Sequence, residues 1–221
     1  MEFRVLEGVP PADVRRFLTL ARRRTFERDE VVFHHGDVAD AVHLVTRGRF
    51  ALRVFSPVGE SAMLAVRGPG ESFGELALVG GGMHRLVTVS ALEPAETRSV
   101  AGAAFRELMA RHPELKDVLV RSLVERLRFA DEHIIASRFL DADARVRWAL
   151  LKLALVYRSG DEVVIPLTQE NLAELAGTAR GTVNRVLGEE QERGVLAVDR
   201  GRVRVLDVDG LRARVRGLPE R

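Results

Sequence analysis

A change of sequence pattern near residue 110 separates a strand-forming part of the chain from a helix-forming part. Between about residues 30 and 100, short runs of β-forming residues alternate with glycines at positions 36, 48, 59, 68, 70 and 80–82. From His112 to Ser137 the residues form helices well and include no glycine, and Pro113 suits the first turn of a helix. Short strands with glycine-rich turns predict an antiparallel sandwich or barrel, against which a short helix over about residues 10–20 packs. The second stretch predicts one long helix.

Length and composition narrow the classes of protein further. A chain of 221 residues is long enough for two domains, and 46% hydrophobic with 30% charged residues is ordinary for a folded protein. The absence of cysteine excludes disulfides, thiolate zinc sites, cysteine-ligated iron–sulfur clusters and a cysteine nucleophile. The first residues lack the pattern of a secretory signal, and the apolar run from Trp148 to Tyr157 is about half a bilayer span. We therefore expect a cytoplasmic protein without a membrane partner.

The predicted long helix carries an apolar stripe along one face. Its residues recur three or four positions apart, at Leu119, Leu123, Leu127, Ala130, Ile134 and Ser137. So narrow a stripe is typical of a seam between two helices. The alternative is that the stripe covers the sheet, but a helix of about 26 residues extends about 39 Å, longer than the sheet it could cover. We predict that this stripe is the interface of a homodimer.

Residues Thr168 to Leu187 fit a helix-turn-helix. Gly177 suits the left-handed conformation that ends a first helix, and Thr178 is placed to cap a second. The residues predicted to be buried are Leu172, Leu175 and Ala176 in the first helix and Val183, Val186 and Leu187 in the second. An ordinary helical corner is the alternative. The alternating pattern from Val195 to Leu206, about an Asp-Arg-Gly turn, predicts a hairpin and favours a winged helix.

The exposed side of this motif supplies the candidate DNA-binding residues. They are Thr168, Gln169, Arg180, Gly181, Thr182, Asn184 and Arg185. Arginine can donate two hydrogen bonds to guanine, while a threonine hydroxyl and a helix N-terminus suit phosphate. Residues 180–216 also contain nine arginines against six acidic residues, a mild basic bias of the kind that phosphate contacts use.

The strand-forming part contains a second candidate site, the cassette from Phe73 to Leu78 with Arg85 following it. A short helix begun by a glycine exposes N–H groups suited to an anion. Glu75 could accept from a sugar hydroxyl, and Arg85 could neutralise a phosphate. The alternative is that Glu75 and Arg85 pair with each other for structural reasons.

Four motifs in this order resemble the catabolite-activator/fumarate-nitrate-regulator superfamily of bacterial transcription factors. They are the turn pattern Gly36 to Gly48, the cassette Phe73 to Leu78 with Arg85, the phrase Arg138 to Asp141, and the helix-turn-helix. The resemblance covers nearly the whole chain. It implies an α+β protein with a β-roll like the cyclic-nucleotide-binding jelly roll over 1–110, a dimerisation helix over 111–138, and a winged helix-turn-helix over 139–221.

The same resemblance implies a function and partners. A helix over about residues 178–188 enters the major groove of a pseudo-palindromic operator, and Arg180 and Arg185 match the family's base-contacting arginines. The family often has glutamate between them, where this chain has Gly181, so we expect weaker discrimination at one base pair. RNA polymerase is an expected partner, as for an activator, through the loop from Arg158 to Asp161.

The resemblance also implies a pocket for an effector. The residues it places there are Phe73, Gly74, Glu75, Leu76, Ala77, Arg85, Leu86, Ala130 and Asp131. In members that bind cyclic AMP a hydroxyl residue follows the arginine and a Thr-Ser pair holds the base, and here Leu86, Ala130 and Asp131 stand at those positions. We therefore assign no cofactor. A cyclic nucleotide, another small molecule and no effector at all remain alternatives.

Other classes of function have less support. His34, His35, His43 and His84 could in principle ligate a metal, but isolated histidines on strands are more often core or surface residues, so we assign no metal. No nucleophile with a matching base is recognisable, so we expect no enzyme. The alternative to a DNA-binding regulator is a cyclic-nucleotide-binding module that acts on a protein partner.

Overall fold

A computed structural model describes residues 2–79, 84–159 and 162–215 of the chain. Its residues form two compact units. Unit one comprises Met1–Val54 and Ala65–Leu127, and unit two comprises Phe55–Leu64 and Arg128–Arg221. The boundary between the units therefore falls within the longest helix and not at either of its ends.

The first part of the chain contains eight of the strands and four of the helices within the described ranges. In chain order they are α1 (Pro11–Thr19), β1 (Arg22–Phe26), β2 (Val31–Phe33), β3 (Ala41–Arg47), β4 (Phe50–Phe55), β5 (Ser61–Arg67), β6 (Ser72–Phe73), α2 (Leu76–Val79), β7 (Thr88–Ala91), β8 (Ala95–Ala101), α3 (Gly102–Arg111) and α4 (Leu115–Phe139). One sheet has the order β1-β8-β3-β6, and another has the order β2-β7-β4-β5. The pairs β1–β8, β3–β8, β3–β6, β2–β7 and β4–β7 are antiparallel, which confirms the predicted antiparallel roll.

Two apolar cores hold unit one together. Aromatic side chains fill the first core, where the rings of Phe26 and Phe50 meet edge to face with centroids 5.5 Å apart. The second core joins Phe17 of α1 to Phe105 of α3 and to Leu115 in the first turn of α4. The N-terminal helix therefore packs on the roll as predicted.

The turn between β3 and β4 depends on Gly48. Its φ of 70° lies in the left-handed region, and a Cβ there would lie 2.6 Å from the Cβ of Ala95. Only glycine combines an accessible left-handed φ with the lack of a Cβ, so the turn requires glycine at position 48.

The long helix exists but starts later than its sequence predicts. We expected it to start at His112 with Pro113 in its first turn, and this is wrong, because α4 begins at Leu115. The N–H of His112 bonds to the carbonyl of Leu108 at the end of α3, and Pro113 lies in the turn that follows. The carbonyl of Pro113 accepts from the N–H of Lys116 at 3.0 Å. Helix α4 has 25 residues, close to the expected length.

The part of unit two that follows α4 is a winged helix. Beyond the end of α4 its elements are α5 (Ala142–Tyr157), β9 (Arg158–Ser159), β10 (Glu162–Ile165), α6 (Gln169–Ala176), α7 (Arg180–Glu192), β11 (Leu196–Asp199), β12 (Arg202–Val205) and α8 (Val208–Ala213). The predicted hairpin is confirmed as β11 and β12, joined by a turn at Arg200 and Gly201. Strands β10 and β9 extend it into a sheet of order β11-β12-β10-β9, which the sequence did not predict.

Three further observations complete the fold. The carboxylate of Asp141 accepts from the N–H of Ala144 at 2.8 Å and so caps the start of α5. Within the described ranges, none of the helices combines the length and apolar character that crossing a bilayer requires. Of the loop predicted to contact RNA polymerase, Arg158 and Ser159 form β9, whereas Gly160 and Asp161 lie outside the described residues.

Candidate nucleic-acid interface and effector cassette

The helix-turn-helix is built around Gly177. This residue adopts φ 58° and ψ 47°, and its N–H donates to the carbonyl of Ala173, which ends α6 as predicted. At the other end of α6, Thr168 and Asn171 form a capping box. The Thr168 hydroxyl accepts from the N–H of Asn171 at 3.1 Å, and the Asn171 side chain accepts from the N–H of Thr168 at 3.3 Å. The predicted phosphate ligand Thr168 therefore already serves as a helix cap.

The second helix begins differently from the prediction. The expected helix over about 178–188 is present as α7, which runs from Arg180 to Glu192, but the expectation that Thr178 caps it is wrong, because the N-cap is Ala179. The N–H of Thr178 donates to the carbonyl of Ala173, which places Thr178 in the turn. Because Ala179 has no side-chain oxygen, the N-terminus of α7 lacks a side-chain cap. Uncapped N–H groups at a helix start suit a phosphate.

Burial divides the two helices into an inner and an outer side as predicted. The buried residues include Leu172, Leu175 and Ala176 of α6 and Val183, Val186 and Leu187 of α7. On the other side, Arg180, Gly181, Asn184 and Arg185 are exposed, while Thr182 and Gln169 are half-buried. The structure therefore brings the predicted DNA-binding residues of α7 to the surface of unit two.

Arg185 is held by two carboxylates that the sequence analysis did not single out. Its Nη1 lies 2.7 Å from Oδ2 of Asp143, and its Nη2 donates to Oδ1 of the same residue. Its Nη1 also donates to Glu189 at 2.8 Å. Glu189 follows Arg185 by four positions, a spacing that signals a helical ion pair, but Asp143 lies 42 residues away and gives no local signal.

Arg180 has a weaker partner than Arg185. Its Nε lies 3.4 Å from the Oε1 of Gln169, a neutral amide at the start of α6. A neutral acceptor at that distance holds a guanidinium less firmly than a carboxylate does. The two arginines predicted to read bases therefore differ in how firmly the protein fixes them.

The charged residues of the cassette in unit one form two separate ion pairs. The buried carboxylate of Glu75 accepts from Nη2 of Arg126 in α4. Arg85 donates to Asp40 at 2.9 Å and to the carbonyl of Gly74 at 3.2 Å. The alternative in which Glu75 and Arg85 pair with each other is therefore wrong, because each has another partner.

Arg85 is almost completely enclosed. Its side chain is 2% exposed, and its guanidinium carbon lies 4.1 Å above the ring of Phe33. Burial lowers the pKa of Arg85, while the charge of Asp40 acts in the opposite direction. A Cβ on Gly74 would lie 2.5 Å from Nη1 of Arg85, so the glycine of the cassette leaves room for the arginine.

Phe73 belongs to the aromatic core. It stacks on His43 with centroids 5.0 Å apart and an interplanar angle of 7°. Nδ1 of His43 lies 3.2 Å from the hydroxyl of Thr97, and burial together with the charge of Arg85 lowers the pKa of His43 to about 3. The histidine is therefore neutral and structural, in agreement with its interpretation as a core residue.

The other predicted effector residues are not all in one unit. Ala77 is buried and Leu76 half-buried in α2, while Leu86 is exposed. Ala130 and Asp131 are exposed on the part of α4 that belongs to unit two. Sequence reasoning missed Asp40 and Arg126, the charged partners of the cassette, because neither lies within its motif.

The apolar stripe of α4 is exposed except at its start. Leu119 is only 4% exposed and packs in the second core of unit one, which corrects its assignment to a dimer interface. By contrast, Leu127 is 63% and Ile134 65% exposed, and Leu123 is exposed as well. Ala130 and Ser137 complete the exposed stripe, although the Ser137 hydroxyl bonds to the carbonyl of Ile134 at 2.8 Å.

Comparison with known proteins agrees with both parts of this structure. Residues 23–112 match the family described as cyclic nucleotide-binding domain, and residues 144–214 match the family described as Crp-like helix-turn-helix domain. The chain is 34% identical over 201 residues to the cyclic AMP receptor protein of Thermus thermophilus, with 91% of each chain covered. It is 30% identical over 218 residues to the CRP-like cAMP-activated global transcriptional regulator of Mycobacterium tuberculosis, with 96% of each covered.

A solved structure shows the same fold. FixK2 from Bradyrhizobium japonicum superposes with a TM-score of 0.80, covering 90% of this chain and 99% of its own. At 18% sequence identity this likeness concerns the fold alone.

Proposed function

The chain belongs to the family of CRP-like DNA-binding transcription regulators, and we propose that it acts as a homodimer that reads a pseudo-palindromic operator with α7. The exposed arginines of α7 are the observation that carries this proposal. Arg180 and Arg185 lie in the first two turns of a helix whose other side is buried, where a Crp-like helix-turn-helix presents its surface to DNA. The match to this family does not favour a module that acts on a protein partner.

Within this surface the residues have separate roles. Arg180 and Arg185 read guanine, because a guanidinium can donate two hydrogen bonds to its O6 and N7. Thr182, Asn184 and Gln169 support them with hydrogen bonds to bases or phosphates, and the uncapped N-terminus of α7 favours a phosphate. Gly181 contributes no side chain, so one base pair of each half-site is read weakly.

Self-association uses the exposed stripe of α4. Leu123, Leu127, Ala130, Ile134 and Ser137 repeat at helical spacing on a helix of 25 residues. Burying such a stripe against a second copy removes apolar side chains from water. A two-fold dimer also matches the two-fold symmetry of a pseudo-palindromic site.

The cassette of unit one is the proposed effector site. Both relatives carry cyclic AMP in their names. This chain keeps Glu75 and Arg85 but has Leu86, Ala130 and Asp131 at the other expected contact positions. Calorimetric titration with cyclic AMP and cyclic GMP, repeated on Arg85→Ala, tests whether the cassette binds a cyclic nucleotide. Binding that is lost in the variant assigns the cassette to a nucleotide, whereas no heat with wild type shows that neither nucleotide is the effector.

RNA polymerase is the proposed protein partner. The segment from Arg158 to Asp161 follows α5, and its first two residues form β9. In the family that this chain resembles, activators contact the polymerase at this position, and this correspondence supports the proposal.

The experiment that tests the function is selection of binding sites from a pool of random-sequence DNA duplexes. We expect a two-fold symmetric motif, and we expect Arg180→Ala to lose about 1–3 kcal/mol of binding free energy and its preference at one base pair per half-site. Arg212→Ala, which removes an exposed arginine from α8, is the matched control and should keep the motif. Selection of no motif, or an unchanged motif in Arg180→Ala, would contradict the assignment.

A further inference from the structure

Asp143 forms a two-pronged contact with Arg185 inside unit two. It lies in the first turn of α5, and both of its carboxylate oxygens accept from the two terminal nitrogens of Arg185. Glu189, one turn further along α7, accepts from Nη1 of the same arginine. Most exposed ion pairs contribute little, but bidentate geometry and a shared second carboxylate are the conditions under which such a contact fixes a side chain.

The donors that this contact uses can be counted. A guanidinium carries five N–H donors, one on Nε and two on each terminal nitrogen. Asp143 accepts one from each terminal nitrogen, and Glu189 accepts a further one from Nη1. Across the described residues, the hydrogen bonds of Arg185 all start from its terminal nitrogens. One N–H on Nε and one on Nη2 therefore remain available along the same edge of the guanidinium. Guanine accepts two such hydrogen bonds, at O6 and N7.

We propose that Asp143 is a positioning residue for DNA recognition, which holds Arg185 in one conformation with its Nε and Nη2 edge ready for a base. The proposal rests on the proposed function, since it requires Arg185 to read DNA. A long side chain that is fixed before binding loses less conformational entropy when it binds. A fixed guanidinium also cannot turn freely to the nearest phosphate, so the contact favours base reading over non-specific binding.

The electrostatics of the pair are consistent with this role. The hydrogen bonds from Arg185 lower the pKa of Asp143 and raise the pKa of Arg185, so both groups are charged at neutral pH. Arg180 provides the contrast, because its partner is the neutral side chain of Gln169. Removing the Asp143 carboxylate should therefore weaken discrimination at the base pair read by Arg185. Discrimination at the base pair read by Arg180 should not change.

The test measures discrimination with the full-length protein. The probes are the palindromic duplex obtained by selection and a duplex in which the base pair read by Arg185 is replaced in both half-sites. We expect Asp143→Ala to lower the ratio of the two affinities by about 2- to 10-fold, the range expected for ordering one long side chain. Asp209→Ala, which removes a carboxylate paired with Arg212 in α8, is the matched control and should leave the ratio unchanged.

Two further variants separate this proposal from the proposed function. In an Arg185→Ala background, Asp143→Ala should have no additional effect on the ratio, because the residue to be positioned is absent. Asp143→Glu, which keeps the charge, should restore part of the discrimination. A ratio that is unchanged or increased in Asp143→Ala would overturn the positioning role alone. If Arg185→Ala itself left the ratio unchanged, Arg185 would not be a reader, and both its proposed role and the positioning role of Asp143 would fail.

Discussion

The carboxylate of Glu190 is completely buried in α7 and accepts a hydrogen bond of 2.7 Å from Nε of Arg147 in α5. Arg214 lies 2.9 Å from the same oxygen, and Arg193 lies 3.7 Å from it. A buried charge is tolerated only when it is paired, so this cluster fixes α7 against α5 by electrostatic contact as well as by packing. Helix α7, which carries the proposed DNA-binding residues, is thereby tied to the rest of unit two.

Removing this charge should destabilise unit two. We expect Glu190→Gln to lower the free energy of unfolding by about 1–3 kcal/mol, because it removes the buried charge that pairs with Nε of Arg147 and leaves that arginine only its contact of 3.1 Å with Glu189. The single tryptophan, Trp148, is buried in α5, so its fluorescence during denaturant unfolding reports on this unit. Glu192→Gln is the control, since Glu192 is exposed on the same helix and its change should cost little. Equal stabilities of the two variants would contradict this account of the cluster.

A charge placed in the α4 stripe should prevent dimerisation. We expect Leu127→Glu to be monomeric in sedimentation equilibrium at concentrations where the wild type is a dimer, because the carboxylate would be buried in the seam. Its affinity for a two-half-site duplex should fall accordingly. Leu155→Glu introduces the same charge at an exposed leucine of α5 and should remain dimeric. A dimeric Leu127→Glu variant would place the interface elsewhere.

Acid should weaken unit one through His43. Its pKa is about 3 in the folded protein against an ordinary value of 6.5, so in the unfolded chain it binds a proton that the folded chain does not. The contribution of neutral His43 to the free energy of unfolding is therefore fully present above about pH 6.5. Below that pH it falls by about 1.4 kcal/mol for each pH unit until about pH 3. Nuclear magnetic resonance of the His43 ring should show no protonation at pH 5. A ring that titrates near pH 6 would refute the prediction.

Replacing Gly177 in the turn of the helix-turn-helix should destabilise the protein. We expect Gly177→Ala to lower stability by about 1–2 kcal/mol, because its φ of 58° is unfavourable for a residue with a Cβ. Gly188 offers a matched comparison, since it lies inside α7 without a left-handed φ, and a Cβ there meets no heavy atom of the described residues within 4 Å. Gly188→Ala should raise stability by up to about 1 kcal/mol. Thermal unfolding followed by Trp148 fluorescence measures both changes.

Features encoded by neighbouring residues could be predicted from the sequence. The helix-turn-helix is one, because Gly177 and the apolar spacing around it lie within twenty residues, and the β11–β12 hairpin is another. Helix ends were predicted less well. Whether Pro113 or Thr178 belongs to a helix depends on which carbonyl its neighbours bond to, and residue types alone do not decide that.

Partners distant in sequence could not be predicted. Asp143 reaches Arg185 across 42 positions, and Arg126 reaches Glu75 across 51. Leu119 carries the same periodicity as Leu127, yet one is buried in its own chain and the other is exposed. Periodicity identifies an apolar face of a helix, but only the packed fold shows which part of that face already has a neighbour.

Gly181 leaves open space on α7, the proposed recognition helix. A Cβ at this position, in the first turn of α7, meets no heavy atom of the described residues within 4 Å, and its φ is not left-handed. A Cβ can therefore be added here without a clash inside the domain. Because most substitutions in a folded protein cost stability, a surface position that accepts many residue types is a favourable starting point for new operator preferences. A substitution at Gly181 should therefore change operator preference at little cost to the stability of the fold.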